Sequence, residues 1–305
     1  MYTLFEIENN GLNYLELISS NGKSKAQICL NQGGRLSYLL FNNIQILADY
    51  NSDSYKNNYA SSILFPFANR IKNGEYTFNN FKYQLDCNET KKNNAIHGLV
   101  FDKTFVCLNT TVASDFASAT LEYKNEGNIK GFPFKFSIEL TYILSAKGLN
   151  LSVKIINTDE KDFPFTLGWH PYFKSEDLNS SSIHFNCNTK YVCDKQNIIT
   201  NTTNFNSQMP FQLKDIKLDD GYQLESNKVK FFTPAYNLKL TSTSKDNFLQ
   251  LYTPNQPNVI AIEPMTGVAD SFNNHMGLQK LHSKASYTLK WSLTIETKET
   301  MQTNN

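Results

Sequence analysis

The chain has 305 residues, 40% of them hydrophobic and 19% charged, with a formal net charge of +1. So even a balance argues against nucleic acid or an anionic membrane surface as partner, since both call for a basic face. The length is ample for a large core, and residues 1–305 read as one domain with a polar tail from about 297.

The first residues lack the basic and apolar stretches of a secretory leader, and no apolar run approaches the ~18 residues that span a bilayer. Five cysteines, at 29, 87, 107, 187 and 193, are an odd count without CxxC spacing. They read as free thiols in a reducing compartment, although Cys187 and Cys193 are placed to bridge two strands. The expectation is a soluble, cytoplasmic protein.

Along the chain, residues 51–63 hold short helical turns at most. Residues 76–78 and 81–85 flank Asn79-Asn80, turn residues that tolerate positive φ, so this is a hairpin. Residues 134–142 and 149–155 alternate apolar and polar side chains without a break, and the glycine-bearing stretch 145–148 joins them in a second hairpin. The polar segments 175–182 and 198–208 look like surface excursions. Residues 269–278 allow another helical turn, 287–296 alternate again, and the tail after Glu296 is frayed. Strict alternation marks half-buried antiparallel strands, and a three-turn helical stripe is hardly seen. The fold class is therefore all-β, built of packed sheets or one large sandwich. The 22 Phe and 16 Tyr suit strand faces and also suit a carbohydrate platform.

Four segments place polar groups in apolar settings. In the first, Asn69-Arg70 follows Leu64-Phe-Pro-Phe-Ala. An arginine there needs a partner, either a structural carboxylate or the oxygens of a ligand facing its planar five-donor fork. Asn94-Ala-Ile-His97-Gly98 offers a histidine that is a core residue or a ligand contact, beside a glycine that permits a sharp turn or a close approach. Leu167-Gly-Trp-His170-Pro-Tyr-Phe173 sets an imidazole in an aromatic wall, where Trp169 and Tyr172 offer flat faces to sugar C–H groups. Glu263-Pro264 ends the apolar run 259–262. Burial there raises a carboxyl pKa and makes a stronger base, while the rival reading is a buried ion pair with Arg70. Asp219-Asp220-Gly221, an acidic pair before glycine, reads as a turn.

Other chemistries fit less well. His97, His170 and Glu263 are a reasonable facial triad for a metal, but HxH, HExxH and cysteine clusters are missing. Neither a GxSxG elbow nor a glycine-rich phosphate loop occurs. Glycoside hydrolysis by Glu263 and Asp219 would leave both histidines idle.

In order and spacing, Phe67-Ala-Asn69-Arg70-Ile71, Ile96-His97-Gly98, Leu167-Gly-Trp-His170-Pro-Tyr-Phe173, Asp219 and Ile262-Glu263-Pro264-Met-Thr-Gly267 resemble the aldose 1-epimerase (mutarotase) family over most of the chain. The resemblance implies a β-supersandwich of large antiparallel sheets and interconversion of sugar anomers without a cofactor or metal. It assigns Glu263 as base and His170 as acid, with Arg70, His97, Asp219 and Asn69 binding a monosaccharide such as glucose or galactose. Relatives often carry Asp-His where this chain has Asp219-Asp220, which makes Asp220 the alternative contact. Phe101 and Phe105 follow His-Gly where a tryptophan is common. Two other readings stay open: a sugar-binding protein without turnover, and an epimerase of phosphorylated hexoses with Lys72, Lys103 or Lys174 at the rim. A monomer and a homodimer both fit.

Overall fold

Long alternating strands bury one face each, and the chain satisfies them by pairing every strand with an antiparallel neighbour. The computed structural model describes residues 1–47 and 55–298. Among these, 20 strands join one continuous sheet that folds over on itself, with three small two-stranded ribbons beside it. The all-β expectation holds. The expected helical turns shrink to Tyr55–Asn58 and Ser271–Asn274; positions 51–54 of the first expectation and the tail beyond 298 lie outside the described residues.

Both hairpins form. Glu75–Phe78 pairs with Phe81–Gln84 around Asn79 and Asn80, which take φ of 49° and 66°. Lys135–Ser145 pairs with Gly148–Asn157 in register from Ser145↔Gly148 to Phe136↔Asn157. Segment 198–208 is only partly an excursion, since Ile199–Asn204 adds a strand to the edge of Ser182–Cys193. None of the five cysteines forms a disulfide, so the Cys187–Cys193 bridge is not made.

The strand Asp219–Phe232 turns the corner between the two halves of the sandwich. Its residues 228–232 pair with Tyr236–Ser242, and its residues 219–223 pair with Phe248–Tyr252. An acidic pair expected in a turn therefore opens a strand. Between the halves lies the main apolar core, which includes Tyr142, Trp169, Trp291 and Leu251. At about 25 cal/mol per Å² of buried apolar area, this core is the dominant favourable term in the fold.

Candidate active site

The site is a product of period two. In Val259–Met265 every residue is buried, which explains why the segment reads as an apolar run instead of an alternation. Ile260 and Ile262 point into the main core, while Val259 and Ala261 pack on the other face against Tyr172. Glu263 shares the parity of Val259 and Ala261, so it leaves the core and faces a cavity. The neighbouring strands follow the same rule. Leu249 and Leu251 enter the core and Gln250 and Tyr252 line the cavity; Trp169 and Phe173 enter the core and His170 and Tyr172 line the cavity. Directly opposite residues share a face, and the register Gln250↔Glu263 and Asp219↔Tyr252 completes that wall.

One sequence expectation fails here. Trp169 is fully buried and stacks on Trp291 at 6.0 Å, so it cannot serve as a sugar platform. Tyr172 borders the cavity but is itself almost fully buried, its ring stacked on that of His170 at 4.9 Å.

A small ribbon supplies the opposite wall. Arg70–Lys72 pairs with Asn94–Ile96, Arg70 lying opposite Ile96, and the His97 N–H donates to the Asn69 carbonyl at 2.8 Å. Asn69, at φ 59°, accepts from Arg70 Nη1 through its side-chain oxygen at 3.2 Å. Gly98 takes a φ of 77°, and a Cβ there would lie 2.3 Å from the Phe65 carbonyl oxygen. The close approach that needs this glycine is made by backbone, not by a ligand.

The cavity these walls enclose measures about 670 Å³, within the usual range for small-molecule sites. All six residues singled out from the sequence, Asn69, Arg70, His97, His170, Asp219 and Glu263, line it. On its floor His170 Nε2 lies 3.4 Å from Glu263 Oε1, with both side chains almost fully buried. The His97 ring meets the His170 ring edge-on at 4.9 Å and is flanked by Tyr59 at 4.7 Å. Glu263 Oε2 and His97 Nδ1 have no protein hydrogen-bond partner, and no other residue reaches His170 Nδ1. Buried polar atoms are rarely left so, and their presence marks a wall shaped for polar ligand atoms.

Electrostatics follow from burial. Desolvation raises the Glu263 pKa well above the ordinary glutamate value, with Asp219 adding and Arg70 opposing. Desolvation lowers His170 to about 4, with the Arg70 charge acting in the same direction. His97 is likewise held well below the ordinary imidazole value by burial, then by His170 and Arg70. The floor therefore favours the uncharged forms, neutral imidazoles and a protonated carboxyl, and the His170–Glu263 pair titrates as a unit.

Arg70 does not pair with Glu263. Its Nε and Nη2 donate to Glu89 Oε2 and Oε1, both at 2.9 Å, in a bidentate pair. Asn94 donates to the same Glu89 Oε2 at 2.9 Å and to the Gln196 carbonyl at 2.8 Å. Burial pushes the Glu89 carboxyl up, but the Arg70 and Asn94 hydrogen bonds hold it below the ordinary value. Glu89 sits in an irregular polar stretch with no periodicity to point at it, so pattern reading misses it. Gln250 is missed too; the one polar position inside Phe-Leu-Gln250-Leu-Tyr was its available signal.

The choice between Asp219 and Asp220 is geometric. Asp219 lines the cavity and accepts from Asn197 at 3.1 Å and Gln250 at 2.9 Å. Asp220 forms an ion pair with Lys190 at 2.8 Å and does not line the cavity. Nor do Lys72, Lys103 and Lys174, the rim cations expected from sequence: Lys103 pairs with Asp102, and Lys174 donates to Gln45. Among the described residues, no three His, Cys, Asp or Glu side chains converge to hold a metal ion, and no helix is long and apolar enough to cross a membrane.

The whole chain finds counterparts among known proteins. It is 23% identical to the uncharacterised protein YihR of Escherichia coli K12 over 273 residues, 86% of this chain and 87% of that one. Its fold is that of a galactose mutarotase-like protein from Clostridium acetobutylicum, with a TM-score of 0.86 at 19% identity over 98% of this chain and 99% of the other. The galactose 1-epimerase of Lactobacillus acidophilus NCFM has the same fold, with a TM-score of 0.78 at 16% identity over 98% and 99%. The model of the aldose 1-epimerase family matches residues 16–294, and the chain belongs to that family.

Proposed function

We propose that this protein interconverts the α and β anomers of a hexose by general acid/base ring opening and reclosure. The observation that carries the reading is the buried contact of His170 Nε2 with Glu263 Oε1 at 3.4 Å on the cavity floor. In the reactive protonation state Glu263 is a carboxylate and His170 an imidazolium. Glu263 takes the proton of the C1 hydroxyl while the C1–O5 bond breaks and the ring oxygen takes the proton of His170. The C1–O bond becomes the aldehyde carbonyl, and the pair becomes carboxyl and neutral imidazole, the form that burial favours. A raised carboxyl pKa makes a stronger base and a lowered imidazolium pKa a stronger acid, so both shifts favour this transfer. The aldehyde then turns about C1–C2, both protons return along their paths, and the ring closes on the other face.

Arg70 and His97 bind the sugar near the ring oxygen, and Asp219 and Asn69 hold other hydroxyls. The protons cycle between protein and sugar, so the reaction balances without a cofactor. Five cysteines without a disulfide fit a reducing compartment, the cytoplasm, as the place of work.

Polarimetry or NMR exchange of freshly dissolved α-glucose and α-galactose tests the reading. Acceleration above buffer that is lost in Glu263→Gln supports it. Tight calorimetric binding of sugar without exchange would instead show a non-catalytic sugar-binding protein.

A further inference from the structure

The cavity has a second polar feature, at the end away from its floor. Lys56, Lys91 and Lys92 all line it. They come from two segments, the short helix Tyr55–Asn58 and the turn at residues 90–93. The two segments are fastened side by side where Asn88 Nδ2 donates to the Tyr59 hydroxyl at 3.1 Å. The three lysines therefore gather on the side of the mouth that carries Tyr59.

None of the three forms an ion pair with a described residue. The acids of the cavity wall are otherwise engaged: Glu89 holds Arg70, Asp219 is held by Asn197 and Gln250 on the opposite side, and Glu263 lies on the floor. Glu89 on this side feels the Lys92 charge but is already held by two Arg70 nitrogens, so cations outnumber acids here. A sugar with C1 and its ring oxygen set against the His170–Glu263 pair on the floor points its far end outward, and a cavity of about 670 Å³ leaves room beyond a plain hexose.

Resting on the sugar-epimerase reading, we propose that the preferred substrates are aldoses bearing an acidic group remote from C1, held by Lys56, Lys91 and Lys92. A phosphate ester and a carboxylate share this chemistry, since lysine recognises either as a compact point charge. Each close lysine–anion contact near a protein surface contributes enough to change efficiency on the order of tenfold, and salt screens it.

The test compares glucose, glucose 6-phosphate and glucuronate by NMR anomer exchange, each corrected for its spontaneous rate. The full chain and its Lys56→Gln/Lys91→Gln/Lys92→Gln variant are measured side by side. The expected result is a kcat/KM at least on the order of tenfold higher for an acidic sugar than for glucose at low salt. That ratio shrinks as salt rises past ~0.15 M and falls to about one in the triple variant. An advantage confined to glucose 6-phosphate identifies a phosphate on C6, and one shared with glucuronate identifies acidity at that end in general. A wild-type ratio of one or less, or a ratio that survives in the triple variant, overturns the proposal. If no sugar exchanges, the catalytic reading fails by itself, and calorimetry with the same three sugars then decides the rim. Tighter binding of the acidic sugars, lost in the triple variant, supports it; equal affinities overturn it.

Discussion

The floor and the mouth of the cavity are built on opposite principles. The floor consists of groups that water barely reaches: His97, His170 and Glu263 are at most 8% exposed and keep ring or carboxyl atoms that no other residue bonds. The mouth has exposed Lys56 and Lys91 and half-buried Lys92 on one side and Asp219, already satisfied by two amides, on the other. Desolvation shifts pKa values at the floor, where the dielectric is low, and such groups suit proton transfer. Charges at the mouth are screened and act on which ligand enters. Changes at the floor should alter kcat, and changes at the mouth should alter substrate choice.

The comparison breaks most sharply at Glu263. Glu263→Gln keeps the shape and removes the base, and anomer exchange should fall by about 10²–10⁴-fold with binding retained. Sugar affinity measured by calorimetry alongside NMR exchange checks this, and a variant with full kcat removes Glu263 from the chemistry.

The pH profile comes next, and its sign follows from the single shared proton. On the acid side the pair gains a second proton on His170 and loses its base, so kcat/KM should fall about tenfold per unit below about pH 4. On the alkaline side the pair loses its one proton and has no acid, so the rate falls above the raised Glu263 pKa. An acid limb that stood at an ordinary imidazole value would contradict a buried His170.

Glu89 tests how the floor is held in place. Glu89→Gln leaves one acceptor for Arg70 but removes the balancing charge, and kcat/KM should drop about tenfold. The Arg70 charge lowers both His170 and Glu263, so leaving it unbalanced should also move both limbs of the profile to lower pH. A loss of rate with unmoved limbs would mean that Glu89 only supports the fold.

The smallest effect separates two neighbours at the mouth. Asp219→Asn should raise KM a few-fold with kcat little changed, while Asp220→Asn, whose partner is Lys190 outside the cavity, should leave both parameters as they are. Steady-state kinetics on the two variants would sharpen the contrast, and equal effects would dissolve it.

How much of this was legible in the sequence depends on the range of the cause. The hairpins at Asn79-Asn80 and at residues 145–148 were readable because turn chemistry and alternation are local. Glu263 and His170 stood out because a polar group inside an apolar run is itself a signal. Trp169 as a sugar platform fails, although parity with Leu167 and Phe173 already places it on the core face. Asp219 looked like a turn because an acidic pair before glycine carries no sign of the strand Phe248–Tyr252 that recruits it.

By itself, then, the sequence determined the all-β class, the strands that build it and the two groups proposed to move protons, since periodicity and local polarity follow from the covalent chain. Only the tertiary structure decided that Arg70 is held by Glu89, that Asp219 rather than Asp220 meets the cavity, and that Lys56, Lys91 and Lys92 share its mouth. Those pairings depend on register between strands and loops far apart in the chain, and register is set by packing the sandwich core as a whole.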